Sequence, residues 1–200
     1  MPFTSYATDY QLNQWAASKG LYMSLHSAYS LTGGNELAGG SYARVAPTWA
    51  SAAGGVLSLS GTPYAMNAPA SSTVGWIGFW DAATSGNFSG MWPNAATASA
   101  YAFSVPSSTG TFLAPGSAYA ATQTVVAFPT GGSALPSGLV AGTTYFVLTP
   151  SSDSFGLSTT SGGSPVTLTS DGSGYLQAVT FETFGSAGVF DVSAFSITQV

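Results

Sequence analysis

The chain has very few ionisable side chains. Its 200 residues include two Lys or Arg, seven Asp or Glu, one His and no Cys. Charged residues make up 4 % of the chain, whereas about 25 % is usual in soluble proteins. Catalysis normally needs clustered titrating groups that tune one another. We therefore predict a protein that is not an enzyme and that has no catalytic residues and no cofactor.

Other absences narrow the range of partners. Two basic residues are too few to neutralise a row of phosphates, so we expect no nucleic-acid partner. There is no run of 18 apolar residues, so we expect no membrane span. Without cysteine, disulfide bonds and thiolate metal sites are excluded. Because so few charges protect the surface against association, we predict a homo-oligomer.

The N-terminal region predicts one helix followed by one strand. Thr8 and Gln11 have the spacing of a capping box, which predicts a helix over about residues 9–18. Gly20 stands where a left-handed C-terminal cap is expected. Apolar residues then alternate with polar ones over residues 21–26, which predicts a half-buried strand.

Short strand-like runs separated by glycine-rich turns fill the rest of the chain. The Asp171-Gly172 pair, for example, is typical of a tight hairpin. This rhythm predicts a mainly β fold, with the N-terminal helix packed on an antiparallel β-sandwich and with a second, smaller β module. We place the first domain at residues 1–121 and expect residues 180–200 to complete it with a last strand. The small module would then be an insertion over residues 122–179.

The aromatic side chains are the best candidates for binding. Trp76 and Trp80 project from the same face of a predicted strand, and Trp92 follows closely. Aromatic faces stack on sugar rings, so these three residues could contact a glycan. The alternative is that they fill the core. Exposure of the three rings decides between these interpretations.

A structural ion pair is the other prediction at the level of residues. Arg44 is one of the two basic residues and lies within a strand pattern, so we expect it to pair with Glu36 or Asp81 and fix a loop. The alternative is a solvated arginine on a strand edge. His26, the sole histidine, is predicted to be a hydrogen-bonded strand residue and not a catalytic base.

The acidic residues show no spacing that predicts a metal site or a glycosidase pair. A calcium loop needs its acidic ligands within about twelve residues, and no such group occurs. A polysaccharide depolymerase would need two facing carboxylates, and nothing in the sequence selects two. Polar loop tips, at residues 33–35 and 159–164, suit adaptable recognition, or are ordinary solvated turns.

Two segments resemble proteins of tailed bacteriophages. The first contains LYMSLHSAYSLTGGNELAGGSYARVAPTWASAAGG and VGWIGFWDAATSG. It resembles a family of small tail-fibre or minor tail proteins over roughly residues 8–92, with the GGSYAR, TWA and GFWDA blocks in the family's order. The second, ALPSGLVAGTTYFVLTPSSDSFGLSTTSGGSPVTLTSDGSG, resembles a module that recurs in phage tail fibres, over roughly residues 122–177.

The resemblance implies a structural virion protein that assembles with its own copies and with other virion proteins. We expect a trimer, because fibres are commonly built as trimers, and polar loops that contact the host surface. A head-attached fibre or a capsid decoration protein is an alternative. A carbohydrate-binding module that grips a host surface glycan is another. The expected location is the virion, on the surface of the tail or of the head.

Overall fold

The computed structural model describes residues 4–95, 100–106, 111–130 and 134–198. In this part of the chain there is one helix, α1 at Ser5–Ser18. The strands are β1 Tyr22–His26, β2 Thr48–Trp49, β3 Val56–Ser60, β4 Tyr64–Ala68, β5 Ser72–Val74, β6 Trp76–Trp80, β7 Phe88–Pro93, β8 Ala100–Val105, β9 Phe112–Leu113, β10 Thr124–Pro129, β11 Thr144–Leu148, β12 Ser154–Ser158, β13 Gly172–Ala178, β14 Glu182–Phe184, β15 Gly188–Val192 and β16 Ser196–Thr198. The prediction of a mainly β fold with one N-terminal helix is confirmed.

The chain forms two compact units. Unit 1 consists of residues 1–92 and 181–200, and unit 2 consists of residues 93–180. The C-terminal strands therefore lie with the N-terminal region. Strands β8 and β9, which we expected within a first domain ending at residue 121, are strands of unit 2. Strand β8 pairs with β13 and β9 pairs with β12, so both lie in the barrel through partners that are distant in sequence.

Helix α1 begins one turn before the predicted start. Thr4 is the N-cap, and its hydroxyl accepts a hydrogen bond from the backbone N–H of Ala7 at 3.4 Å. Thr8, predicted as the cap, instead lies within the helix and donates to the carbonyl of Ser5 at 2.9 Å. The capping-box prediction was wrong because Thr4 offers the same hydroxyl one turn earlier. The inner face of the helix buries Leu12 against β3 and its neighbours.

Unit 1 is built from small antiparallel sheets around an aromatic core. Strand β1 lies in a three-stranded sheet of order β1-β6-β7, with Tyr22 opposite Trp80 and His26 opposite Trp76. Strand β1 is buried on both faces, since Ser24 and His26 are 0 % exposed. The prediction of a half-buried strand was therefore wrong. A further three-stranded sheet has the order β16-β3-β2, and two-stranded sheets pair β14 with β5 and β15 with β4.

Aromatic rings form the centre of unit 1. Their centroids lie 5.1 to 6.2 Å apart and most neighbouring rings meet edge to face, an arrangement that contributes beyond simple burial. The rings belong to Trp15, Trp49, Phe79, Trp92 and Phe195. Helix α1, β2, β6, β7 and the C-terminal segment each supply one of these rings, so the core needs both segments of unit 1.

Unit 2 is a closed six-stranded barrel of order β10-β11-β12-β9-β8-β13. Its interior is filled by its own side chains, among them Phe112 stacked on Phe155 with centroids 5.4 Å apart. Near the two ends of the unit, the N–H of Thr180 donates to the carbonyl of Asn94 at 2.6 Å. The amide of Asn94 donates back to the carbonyl of Thr180 at 3.1 Å. The entry and exit of the barrel are thus joined to each other.

Candidate functional site

Arg44 is the centre of the most highly connected polar cluster in unit 1. Its Nε donates to Oε1 of Glu36 at 2.8 Å, and its Nη2 donates to Oε2 of the same carboxylate at 2.7 Å. The hydroxyl of Tyr42 donates a further hydrogen bond to Glu36 Oε1 at 3.0 Å. Both charged side chains are largely buried, with 9 % of Arg44 and 19 % of Glu36 exposed. Such a two-pronged contact fixes both the distance and the plane of the pair.

The same guanidinium also holds the turn that follows β6. Its Nη1 donates to the carbonyls of Ala82 at 3.0 Å and Ser85 at 2.7 Å. Its carbon Cζ lies 3.7 Å from the ring centroid of Trp80, a cation–π contact. Arg44 thereby connects the segment before β2, the loop after β1 and the turn after β6.

Asp81 has a different partner from Arg44. It lies 3.5 Å from the ammonium of Lys19, and it accepts hydrogen bonds from the backbone and side-chain nitrogens of Asn87 at 2.7 and 2.8 Å. These bonds from Asn87, helped by Lys19, hold the pKa of Asp81 below its usual value. Of the two carboxylates considered for Arg44, Glu36 therefore pairs with it, while Asp81 closes its own turn.

The pKa of Glu36 is set by two opposing effects. Burial by itself raises the pKa of this carboxyl, but the hydrogen bonds from Arg44 and Tyr42 outweigh it, so the pKa is lowered. Glu36 is consequently ionised over the whole neutral range. A carboxylate whose pKa is lowered in this way is a weak base.

His26 lies beside this cluster in a hydrogen-bonded chain in which it and Ser24 are fully buried. Its Nδ1 donates to the carbonyl of Gly34 at 2.9 Å, and its Nε2 accepts from the hydroxyl of Ser24 at 2.7 Å. Ser24 Oγ in turn accepts from the indole N–H of Trp80 at 3.0 Å. Gly78 faces this chain across the sheet, and a Cβ there would stand 2.4 Å from His26 Nε2. The close packing leaves no room for a substrate next to the imidazole.

The serine–histidine contact lies in the interior of unit 1. Ser24 and His26 are both 0 % exposed, and burial lowers the pKa of His26 further than its bond to Gly34 and its proximity to Glu36 raise it. A neutral imidazole fits the two bonds that His26 makes. Among residues 4–95, 100–106, 111–130 and 134–198, no three His, Asp or Glu residues lie close enough together to hold a metal ion.

The three tryptophans considered for glycan contact have different surroundings. Trp76 is 2 % exposed, so its ring cannot stack on a sugar. Trp80 is half-buried between Arg44, Phe88 and the backbone of Gly33. Trp92 is half-buried in the aromatic centre and lines two shallow grooves of about 310 Å³ each. Burial of Trp76 follows from its central strand, which sequence alternation alone did not distinguish from an exposed face.

The two polar loop tips lie at the surface in different ways. Around residues 33–35, Asn35 has a positive φ of 62° and its amide donates to the carbonyl of Tyr29 at 3.3 Å. Gly33, with φ 77°, is buried under Trp80, where a Cβ would come within 2.4 Å of the indole. Residues 159–164 follow β12 and are mostly exposed. The first tip is thus a packed turn, and the second is open to solvent.

Sequence reasoning missed several residues of the polar cluster. Tyr42 carries no charge, so its hydrogen bonds to Glu36 and to the N–H of Leu25 had no signal in the sequence. Lys19 follows a helix, and its partner Asp81 is far away in the chain. The GGSYAR and GFWDA blocks did contain a signal, because Tyr42, Arg44, Trp80 and Asp81 all lie in them.

Three comparisons with known proteins bear on identity. Residues 9–102 match the family model described as podophage GP4 fiber I protein gp80, which is just under half of the chain. No curated protein matches the chain, and no solved structure matches it. No helix in the part of the chain that the structure describes is long and apolar enough to cross a membrane. Over residues 9–102, the family match confirms the predicted resemblance to a tailed-phage tail-fibre family, whose description names a podophage fibre protein.

Proposed function

We propose that this protein is a tail-fibre-like or minor tail component that assembles into a homotrimer and presents polar loops to the host surface. The match of residues 9–102 to a podophage fibre family is the observation that carries the proposal. The match includes α1 from Asp9 onward and the blocks that hold the Arg44 cluster. The Arg44 cluster also favours a structural role for the protein, because its charged groups bind one another.

The charges favour assembly. Both basic residues are already engaged, Lys19 with Asp81 and Arg44 with Glu36. Large apolar side chains are nevertheless exposed on both units, and they include Tyr6, Tyr10, Leu31, Val140 and Val189. Single exposed apolar residues are ordinary, but here there are few charges between them to keep copies apart. Contacts with further copies would cover those of these residues that lie at the contact surface.

The position of the loop at residues 159–164 on the barrel favours the proposal that polar loops contact the host surface. Residues 159–164 leave from β12 of a closed barrel and are rich in Ser, Thr and Gly. Neutral hydroxyls and backbone amides of this kind suit adaptable hydrogen bonding to a polar surface. The buried Trp76 gives no support to a sugar platform on the three tryptophans, so we assign host contact to the loops.

Two measurements test the proposal. The mass of the purified full chain in solution, measured by light scattering after size exclusion, should be three times that of the 20.1 kDa chain. Gold-labelled antibody against the protein should decorate the tails of intact particles in electron micrographs. A monomer at micromolar concentration would contradict the assembly, and label on the head would make the protein a head-attached fibre or a decoration protein.

A further inference from the structure

The outer face of α1 is neutral. Tyr6 is 81 % exposed and Tyr10 is 58 % exposed, and they lie one turn apart on the same stripe of the helix. The other exposed residues of the helix are Ser5, Gln11, Gln14, Ala17 and Ser18. A helix face open to water usually carries charged residues, so this composition is unusual for a surface that remains in solvent.

The single acidic residue of α1 is bound to the turn before β3. The carboxylate of Asp9 accepts hydrogen bonds from the backbone N–H groups of Gly54 at 3.2 Å and Gly55 at 2.7 Å. Asp9 thus holds the turn before β3 against the helix. The hydroxyl and amide groups that remain outside are neutral.

A shallow groove of about 310 Å³ lies directly beside this face. It is lined by Gln11, Leu12, Trp15, Trp92, Ile197 and Thr198, none of which is charged. Gln11 lines the groove and is also one of the exposed residues of the helix, and we call the tyrosine stripe and the groove together the α1 surface. Tyr and Trp side chains concentrate binding energy in protein contacts because they offer large, stiff, partly polar surfaces.

The distribution of charge identifies the occupant of the α1 surface. No lysine or arginine remains for five of the seven acidic residues, which are Asp9, Asp153, Asp171, Glu182 and Asp191. A basic partner would be drawn to these acids and not to a neutral face. Identical copies, each with a net charge of −5, repel one another wherever these acids meet, so they can approach closely only through a neutral area.

We infer that the α1 surface is the contact between copies of this chain, with the tyrosines of one copy packed into the groove of the next. The inference rests on the proposed self-assembly and names the surface responsible for it. A tyrosine stripe that fills a neighbour's groove is a head-to-tail contact, and such contacts close into rings when the rotation allows it. A trimer is one such ring.

The first experiment places negative charge on the α1 surface. The double variant Tyr6→Glu/Tyr10→Glu changes two exposed residues of the first helical turns, where acidic side chains suit the helix dipole. Its matched control, Val140→Glu/Val189→Glu, alters two residues that are 63 % and 51 % exposed and has the same net charge. Sedimentation velocity over a concentration series should show an apparent dissociation constant at least tenfold weaker for the tyrosine variant and nearly unchanged for the control.

The second experiment uses single cysteine substitutions at exposed positions, which introduce no glutamate charge. Because the chain has no cysteine, the variants Tyr10→Cys and Val140→Cys each carry a single thiol. A short bifunctional maleimide should link the Tyr10→Cys protein to a Thr198→Cys protein, whose thiol lies in the groove, and should leave the Val140→Cys protein unlinked to it. Circular dichroism of every variant checks that its fold is retained.

The outcomes separate the inference from the proposed function. If the unmodified protein assembles and the tyrosine variant assembles equally well, the α1 surface is not the contact, while self-assembly stands. If the unmodified protein is monomeric, self-assembly itself fails and the inference fails with it. If the glutamates unfold the helix, the cross-linking result decides, and equal linkage through residues 10 and 140 would overturn the inference.

Discussion

Arg44 joins parts of unit 1 that are distant in sequence. Its guanidinium binds Glu36 after β1 and two carbonyls of the turn after β6, and it covers the ring of Trp80. An exposed ion pair contributes little to stability, but this one is largely shielded from water. Removing one member leaves the other charge partly buried without its main partner, which is the costly case.

We therefore expect Arg44→Met to destabilise unit 1 by about 3 kcal/mol. Arg44→Lys should recover only a small part of this loss, since an ammonium cannot span both carboxylate oxygens and both carbonyls. Urea unfolding followed by tryptophan fluorescence measures the change. The double variant Glu36→Gln/Arg44→Met is the matched control and should lose less than the two single variants added together. A loss below about 1 kcal/mol for Arg44→Met would mean that the pair behaves like an exposed one.

His26 makes the stability of unit 1 dependent on pH. Burial lowers the pKa of the folded imidazole, so on acidification the unfolded chain binds the proton first, below about pH 6.5. The unfolded state then holds more protons than the folded state, and the free energy of unfolding falls as the pH falls, by at most about 1.4 kcal/mol per pH unit for one group. Glu36, whose pKa is lowered from 4.5, adds a loss of the same sign at more acidic pH.

Urea titrations at pH 7.5, 6.5 and 5.5 should show this loss of stability in the unmodified protein. His26→Asn removes the only imidazole of the chain and keeps an N–H donor near the carbonyl of Gly34. The variant should be less stable at pH 7.5 and nearly independent of pH down to 5.5. If the free energy of unfolding falls equally with pH in both proteins, titrating groups other than His26 cause the loss of stability.

At the scale of elements, short-range sequence patterns predicted that a helix or strand exists better than they predicted where it begins or how far it is buried. The helix was predicted from a capping-box spacing, yet its start was misplaced because Thr4 and Thr8 are both suitable caps. The run at residues 21–26 was predicted as a strand and is one. Its burial on both faces depends on Trp80 and on the loop near Gly34, which lie elsewhere in the sequence. No periodicity within β1 could contain that information.

Long-range pairing was the part of the candidate site that the sequence left open. Arg44 had two candidate carboxylates, and only the folded geometry separates Glu36 at 2.7 Å from Asp81, which lies by Lys19. In the same way, Trp76 and Trp80 share a strand face, but the neighbours of that strand decide that Trp76 is buried at 2 % exposure. The residue types were informative, whereas their partners depend on how the sheets are arranged.

At the scale of the whole molecule, the chain has two separate hydrophobic cores. The core of unit 1 combines residues from its N-terminal and C-terminal segments, for example Met23 with Phe190. The core of unit 2 combines residues of the barrel strands, such as Phe103, Phe112 and Leu176, with residues of their connections, such as Tyr119. A unit with its own core is expected to fold by itself. The paired backbone of Asn94 and Thr180 brings its two ends together, as an inserted unit requires.

We therefore expect a fragment of residues 93–180 to fold without unit 1. Every strand of the barrel and the bonds between Asn94 and Thr180 remain in such a fragment. It should show a single cooperative thermal transition and near-ultraviolet circular dichroism from its ordered tyrosines, such as Tyr119, whose hydroxyl donates to the carbonyl of Leu176 at 2.7 Å.

A fragment of residues 122–179 is the matched control for the domain boundary. It lacks β8 and β9, which leaves β13 without one neighbour and β12 without another. It also loses Phe103, Phe112 and Tyr119 from the core. Unpaired edges and a cavity of that size should prevent cooperative unfolding. If the shorter fragment folds as cooperatively as the longer one, β8 and β9 are accessory to the barrel, and the boundary lies at residue 122.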